Sequence, residues 1–288
     1  MSAPGSTGQD AADPDAAGPG TPAPARAPIR LLQLTDLHLY ADPDGRLLGQ
    51  NTRRTFAAVL ALAMSKDWPP DAVVLTGDLV HDERIEGYQF LTQRLAELQV
   101  PCHCIPGNHD RVTLLASSLD PDAIAGLRIV AIGDWDLALL DSTVPFAEGG
   151  HLPERILQGL EQQLAGSNGR HTLVCLHHQP VPVGSRWMDG MMVDNGDALI
   201  ALAARYINLR GILWGHVHQT FEQVMHDTLL LATPSTCVQF LPHSDSFALD
   251  TATPGYRWLD LHPDGCIVTG VERVHSYPDP LVQRSEGY

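Results

Sequence analysis

A chain of 288 residues fits one α/β core, and 44% apolar against 18% charged residues excludes an intrinsically disordered protein. The formal net charge is −16, and Asp10, Asp13 and Asp15 against Arg26 leave only −2 of it in the first 28 residues. The folded body is therefore acidic, which disfavours a long nucleic-acid polyanion as partner. Five cysteines in no CxxC spacing argue against a disulfide framework and for reduced thiols in a cytoplasmic setting. The opening residues lack the basic end and apolar run of a secretory signal, and no stretch approaches a membrane span.

Residues 1–28 are rich in Ala, Pro and Gly and are expected to form a disordered tail ahead of one folded domain over 29–288. From Ile29 onward, strand-length apolar runs alternate with helix-period segments, which predicts an α/β fold. The predicted strands are Ile29 to Leu34, Ala72 to Leu75, Val100 to Ile105, Leu137 to Leu140, Leu173 to Leu176, Ile212 to Trp214 and Leu229 to Ala232. Between the first two, Asn51 is a predicted N-cap, and Phe56, Val59, Leu60, Ala63 and Met64 make an apolar helical stripe. Further stripes run through Tyr88, Leu91, Leu95 and Leu98 and through Ile156, Leu157, Leu160 and Leu164.

Five predicted strands are followed at once by Asp, Asn or His, where the loops of α/β sheets place their ligands. The first gives TDLH, with Asp36 and His38 two apart and expected on one face of an extended segment. The second gives TGDL, where Gly77 permits a tight turn and Asp78 could bridge two ions. Then PGNHD delivers the neutral oxygen ligand Asn108 and the proton donor His109. In HTLVCLHH the alternation of an extended chain lets only one histidine face the site. His177 is chosen and His178 is left to packing or a supporting hydrogen bond. In GILWGHVH, Gly215 permits close approach and His216 and His218 repeat the TDLH spacing. Each string alone is an ordinary turn, but five together supply the mixed nitrogen and oxygen donors that suit borderline divalent metals.

With TDLH, GD, GNHD, HH and GHVH in this order, the chain resembles the calcineurin-like metallophosphoesterases. The strings LLQLTDLHL, LLGQNT, TGDLV, PGNHD, LLDS, HTLVCLHHQP and LATPSTCVQF are similar to the bacterial class III cyclic AMP phosphodiesterases over about residues 29–288. The resemblance implies a four-layer αββα sandwich of two mixed β-sheets flanked by helices. It also implies two divalent ions, iron and/or manganese, with zinc permitted by the same donors. One ion would take Asp36, His38, Asp78 and His218; the other would take Asp78, Asn108, His177 and His216. His109 and Asn108 would be catalytic, and His38, Asp78, Asn108, His109 and His218 would meet the substrate. That substrate would be the small cyclic nucleotide cyclic AMP, opened to 5′-AMP with a loss of cyclic AMP signalling; neither nucleic acid nor membrane is an expected partner.

The dinuclear centre recognises phosphate, so the choice of nucleotide is expected from nearby loops, with Thr233 to Phe240 (TPSTCVQF) as the main pointer. The alternatives are a relative acting on linear diesters, 2′,3′-cyclic nucleotides or phosphomonoesters, and a non-catalytic scaffold, which retention of every ligand disfavours. Asp82 lies four residues after Asp78, where the protein-phosphatase branch places an Asp at three, and GNHD replaces that branch's GNHE. Asp82 therefore receives no catalytic role, and His81 and His103 are expected to be incidental.

Overall fold

The apolar runs become strands because each of their two faces meets another layer. In the first strand Leu31 enters one apolar cluster while Leu32 and Leu34 enter another, the period of two that an extended chain imposes. The computed structural model describes residues 26–282 together with 1, 2 and 5, so most of the expected tail lies outside the described residues.

In chain order the elements are β1 (Ile29–Leu34), β2 (Arg46–Leu47), β3 (Gln50–Asn51), α1 (Thr52–Lys66), β4 (Ala72–Thr76), α2 (Ile85–Ala96), β5 (Cys102–Ile105) and α3 (Val112–Ser118). There follow β6 (Leu127–Ile132), β7 (Trp135–Leu140), α4 (Glu154–Ala165), β8 (His171–Cys175), α5 (Arg186–Asp189), α6 (Gly196–Arg205) and β9 (Leu209–Trp214). The chain then adds β10 (Phe221–Met225), β11 (Thr228–Ala232), β12 (Gly255–Leu261) and β13 (Ile267–Arg273). One sheet has the order β13-β12-β1-β4-β5 and the other β10-β11-β9-β8-β7-β6. Both are mixed: β1, β4 and β5 run parallel, as do β7, β8, β9 and β11, while β12, β13, β10 and β6 pair antiparallel.

Three buried clusters mark the three interfaces of a four-layer sandwich. The middle one joins Leu31, Val74 and Ile105 of the first sheet to Leu137, Leu173 and Leu213 of the second. The outer ones pack α1 and α2 on the first sheet and α4 and α6 on the second. Towards the ligand-bearing strand ends the middle layer turns polar: Gln33 Nε2 donates to Thr76 Oγ1 at 2.7 Å and to the Trp214 carbonyl at 3.0 Å. The fully buried Arg257 of β12 donates to the Ala232 carbonyl at 2.9 Å and to Glu222 at 2.8 Å, which ties the two sheets together.

All seven predicted strands are present, with boundaries within three residues. Asn51 caps α1 by accepting from the Arg54 N–H at 3.0 Å. The α1 stripe holds except at Met64, which is 49% exposed and belongs to the solvent face. Strands β6, β10, β12 and β13 were not expected. β10 and β13 are edges with many polar side chains and β12 carries Arg257 inward, so these three do not read as apolar runs; β6 (LRIVAI) is an apolar edge strand that the sequence reading missed. Among the described residues no helix is long and apolar enough to cross a membrane.

Candidate metal centre

The parallel strands deliver their ligands to one end of the sandwich. Asp36 and His38 follow β1, Asp78 follows β4, Asn108 and His109 follow β5, His177 follows β8, and His216 and His218 follow β9. All seven predicted ligands converge. His38 Nε2 lies 3.1 Å from His218 Nε2, which is 3.3 Å from Asp36 Oδ1. His177 Nε2 lies 3.2 Å from Asn108 Oδ1 and 3.4 Å from Asp78 Oδ2, and the same Asp78 oxygen is 3.7 Å from His38 Nε2. Asp78 thus stands between two ligand groups, as a shared carboxylate must.

The backbone reaches this convergence differently from the extended geometry expected of TDLH and HVH. Asp36, His38, Asp78, His216 and His218 have φ of 53, 46, 52, 63 and 48°, all in the left-handed region. Outside glycine such values are uncommon, and five at one site mean that the fold holds these turns against local preference. Gly77 sits at φ 93°, and a methyl group there would overlap His177 Nδ1. A methyl on Gly215 would overlap Thr35 Oγ1 and crowd the Asp36 carboxylate, so this glycine does permit the close approach read from the sequence.

The donor set fits cations on independent grounds. A carbonyl only accepts, so His177 Nδ1 donates to the Thr76 carbonyl at 2.7 Å and His218 Nδ1 to that of Val238 at 2.8 Å. Each histidine is thereby left with an Nε2 lone pair aimed into the cluster, the usual support of a ligating imidazole. Among the described residues the buried His216 Nε2 has no hydrogen-bond partner. Four of the donor separations, 3.1 to 3.4 Å, match the edges, roughly 3.0 to 3.4 Å, of a polyhedron with ligands about 2.1 Å from an ion, while His38 and Asp78 stand wider at 3.7 Å. The Asp36 carboxylate is oriented by the Thr35 hydroxyl at 2.7 Å and the His216 N–H at 3.0 Å.

Without cations this array leaves opposed charges in a buried space. Burial opposes a charge on His177, but Asp78 overrides it and lifts the imidazole to about 9. Asp78 is itself held well below the usual carboxylate range: burial works against its charge, and His177 more than restores it. His178 is pushed down to about 3, first by burial and then by His177. The raised pKa makes the His177 contribution to stability complete below about 6.5 and lost as pH rises through about 9. The depressed His178 acts on the other side, since below about 6.5 only the unfolded chain takes its proton, so stability falls as pH falls toward 3. Chelator-treated protein is expected to melt highest near pH 6.5, with Tm declining on both sides in a pH series. A flat Tm from pH 5 to 9 would remove the His177–Asp78 ion pair from the account.

Several residues that sequence reasoning passed over support the centre. Asp110, the last residue of GNHD, accepts from the N–H groups of Gly107, Leu79 and Val80 at 2.9, 3.0 and 3.1 Å and from the Tyr88 hydroxyl at 2.9 Å. Burial and the Asp78 charge raise it to about 6, against those backbone donors. It clamps the Asn108 loop to the Asp78 loop. Asp110→Ala strands four buried donors, with an expected loss of about 3 kcal/mol of stability and 10- to 100-fold in metal affinity. Denaturant unfolding and metal titration measure these losses, and wild-type values in both would dismiss the clamp.

His81, expected to be incidental, belongs to the site wall. Its Nδ1 lies 3.1 Å from His38 Nδ1, and its ring stacks on His109 with centroids 4.8 Å apart. Asp82 supports the neighbouring loop by accepting from the Ala41 N–H at 3.0 Å, and His103 lies on β5. His178 sits with His177 and His216 in a group of imidazoles, yet both its ring nitrogens are engaged. Nε2 donates to the Glu148 carbonyl at 3.1 Å and Nδ1 accepts from the Ser142 hydroxyl at 2.8 Å. These bonds hold the segment from Ser142 to Glu148 and reach none of the seven proposed ligands.

Thr233 to Phe240, the main sequence pointer to the choice of nucleotide, takes the form of a buried segment. Thr233, Ser235, Thr236, Cys237, Val238 and Phe240 are fully buried. They act on the ligands instead: Ser235 Oγ donates to the Asp36 carbonyl at 2.7 Å, and the Phe240 ring lies flat on His218 with centroids 4.1 Å apart.

A sequence model described as calcineurin-like phosphoesterase matches residues 29–220. The 3′,5′-cyclic adenosine monophosphate phosphodiesterase CpdA of Escherichia coli K12 is 40% identical over 268 residues, 93% of this chain and 98% of its own. The Pseudomonas aeruginosa protein of the same name is 40% identical over 91% of this chain and 96% of its own. A 3′,5′-cyclic-nucleotide phosphodiesterase of Nostoc is 35% identical over 89% and 97%. Among solved structures, a dimetal phosphatase from Danio rerio superposes with a TM-score of 0.61 over 85% of this chain and 99% of its own. At 15% identity it is similar in fold.

Proposed function

The chain belongs to the calcineurin-like phosphoesterases, and from that membership we propose that it is a dinuclear-metal phosphodiesterase opening 3′,5′-cyclic AMP to 5′-AMP and so lowering cyclic AMP signalling. The carrying observation is 40% identity along 93% of the chain to a phosphodiesterase named for that substrate. The convergence of the seven donors supports the chemistry.

One cation site would be held by Asp36, His38, Asp78 and His218, and the other by Asp78, Asn108, His177 and His216. Iron and manganese are the proposed ions, and zinc suits the same donors. When bound, two such ions supply Lewis acidity for the phosphoryl oxygens and a more acidic water as nucleophile. The protein's own groups do the rest. Asn108 turns its carboxamide to a phosphoryl oxygen, and His38, Asp78 and His218 shape the seat of the diester. His109, anchored by its N–H to Asp78 Oδ1 at 2.9 Å, gives a proton to the departing 3′ oxygen. The water oxygen bonds to phosphorus, the P–O3′ bond breaks, and 5′-AMP with a free 3′ hydroxyl remains. The cytoplasmic placement is supported by the five cysteines, all free thiols.

The test is purified protein loaded with manganese or iron, assayed for metal content and for 5′-AMP formed from cyclic AMP. Hydrolysis of an aryl diester without any turnover of cyclic AMP would replace this reading with a phosphoesterase of other substrate.

A further inference from the structure

Beside the metal centre, Asn108 and His109 form one wall of a cleft of about 580 Å³, within the range of small-molecule sites. The loop of residues 143–148 between β7 and α4 lines the same cleft. This loop is fastened at both ends. Asp141 accepts from the Thr143 N–H at 2.8 Å and from its hydroxyl at 2.7 Å, while the neutral His178 bridges Ser142 and the Glu148 carbonyl. Between these anchors the Ala147 N–H donates to the Val144 carbonyl at 3.1 Å and closes a turn that carries Phe146.

Phe146 is fully exposed and lies at φ 63°. A bulky side chain in the left-handed region is a rare conformation, and an aromatic ring in water forgoes the burial that favours it in a core. Folding gains from neither feature, so the loop spends stability to present a flat apolar face at the cleft that His109 also lines. The face is continuous with the metal centre through residues that border both, and a nucleotide seated by its phosphate must extend its base away from the ions.

Resting on the cyclic AMP reading, we infer that Phe146 is the platform on which the purine ring of the substrate stacks while its cyclic phosphate is held at Asn108 and His109. Its contribution is to binding, since stacking on a base is the same before and during P–O cleavage. Every base has such a face, so Phe146 selects nucleotides over base-free esters more than adenine over guanine.

The experiment compares manganese-loaded wild type, Phe146→Ala and Phe146→Tyr on cyclic AMP and on methyl riboside 3′,5′-cyclic phosphate, which has the same ring and no base. Wild type is expected to prefer cyclic AMP. The ratio of kcat/KM between the two substrates falls about tenfold in Phe146→Ala, through KM for cyclic AMP, and returns in Phe146→Tyr. A ratio at the wild-type value in Phe146→Ala overturns the inference and leaves the phosphodiesterase reading intact. An equal loss on both substrates also overturns it, making Phe146 a support of the loop, as does an unaltered ratio with a change in sedimentation, which marks a contact between copies. A wild type that cleaves the base-free ester but not cyclic AMP defeats the reading beneath the inference, and the inference with it.

Discussion

Protein carrying Asp78→Ala is expected to lose its bound divalent ions and to hydrolyse cyclic AMP at least about 1000-fold more slowly than wild type, several kcal/mol of transition-state stabilisation. Asp78 Oδ2 lies 3.4 Å from His177 Nε2 and 3.7 Å from His38 Nε2, so one substitution strips a donor from both ligand groups. The other carboxylate oxygen accepts from the His109 backbone N–H at 2.9 Å, so the proposed proton donor loses its anchor as well. Metal analysis of the purified variant beside a cyclic AMP assay reads both effects, with circular dichroism to show that the fold persists. Two ions per chain and turnover within tenfold of wild type would remove Asp78 from the centre of this account.

The second large effect is a split by leaving group. His109→Ala is expected to slow cyclic AMP hydrolysis by about 100- to 10,000-fold, because an alkoxide leaving from the ribose needs a proton. Bis(4-nitrophenyl) phosphate releases a phenolate stable without one, so its hydrolysis should fall by less than about tenfold. His109 is placed for this role by its anchored backbone and by the stacked His81, and it opens on the cleft beside Asn108. Equal losses on the two esters would assign His109 to ground-state binding or to support of the loop. Metal content at the wild-type level is the required control, since Asn108 adjoins it.

The convergence of the proposed ligands is legible in the sequence because it depends on local facts. Strands β1, β4, β5, β8 and β9 are apolar enough to recognise one by one, and parallel strands put the residue after each of them at the same sheet end. Donor chemistry then limits what Asp, Asn and His in those places can do. The reading was weaker wherever a residue's partner lies far along the chain. His81 looked incidental because nothing local brings it to His38 and His109. The Thr233 to Phe240 segment looked like a substrate loop, since a string of polar residues does not show that its hydroxyls turn inward to Asp36 and Gln33.

By itself the sequence determined the α/β alternation and which side chains stand at the strand ends, because strand periodicity and side-chain chemistry act over a few residues. Only the tertiary structure decided which ring nitrogen of His177 and of His218 donates to a carbonyl and which faces the cluster. The proton on His177 is fixed by a carbonyl of β4 and that on His218 by the Val238 carbonyl beyond β11. It also decided the left-handed turns at five of the proposed ligands and the presentation of Phe146. These are conformations of higher local energy, which packing of distant segments can hold and no short stretch of sequence prefers.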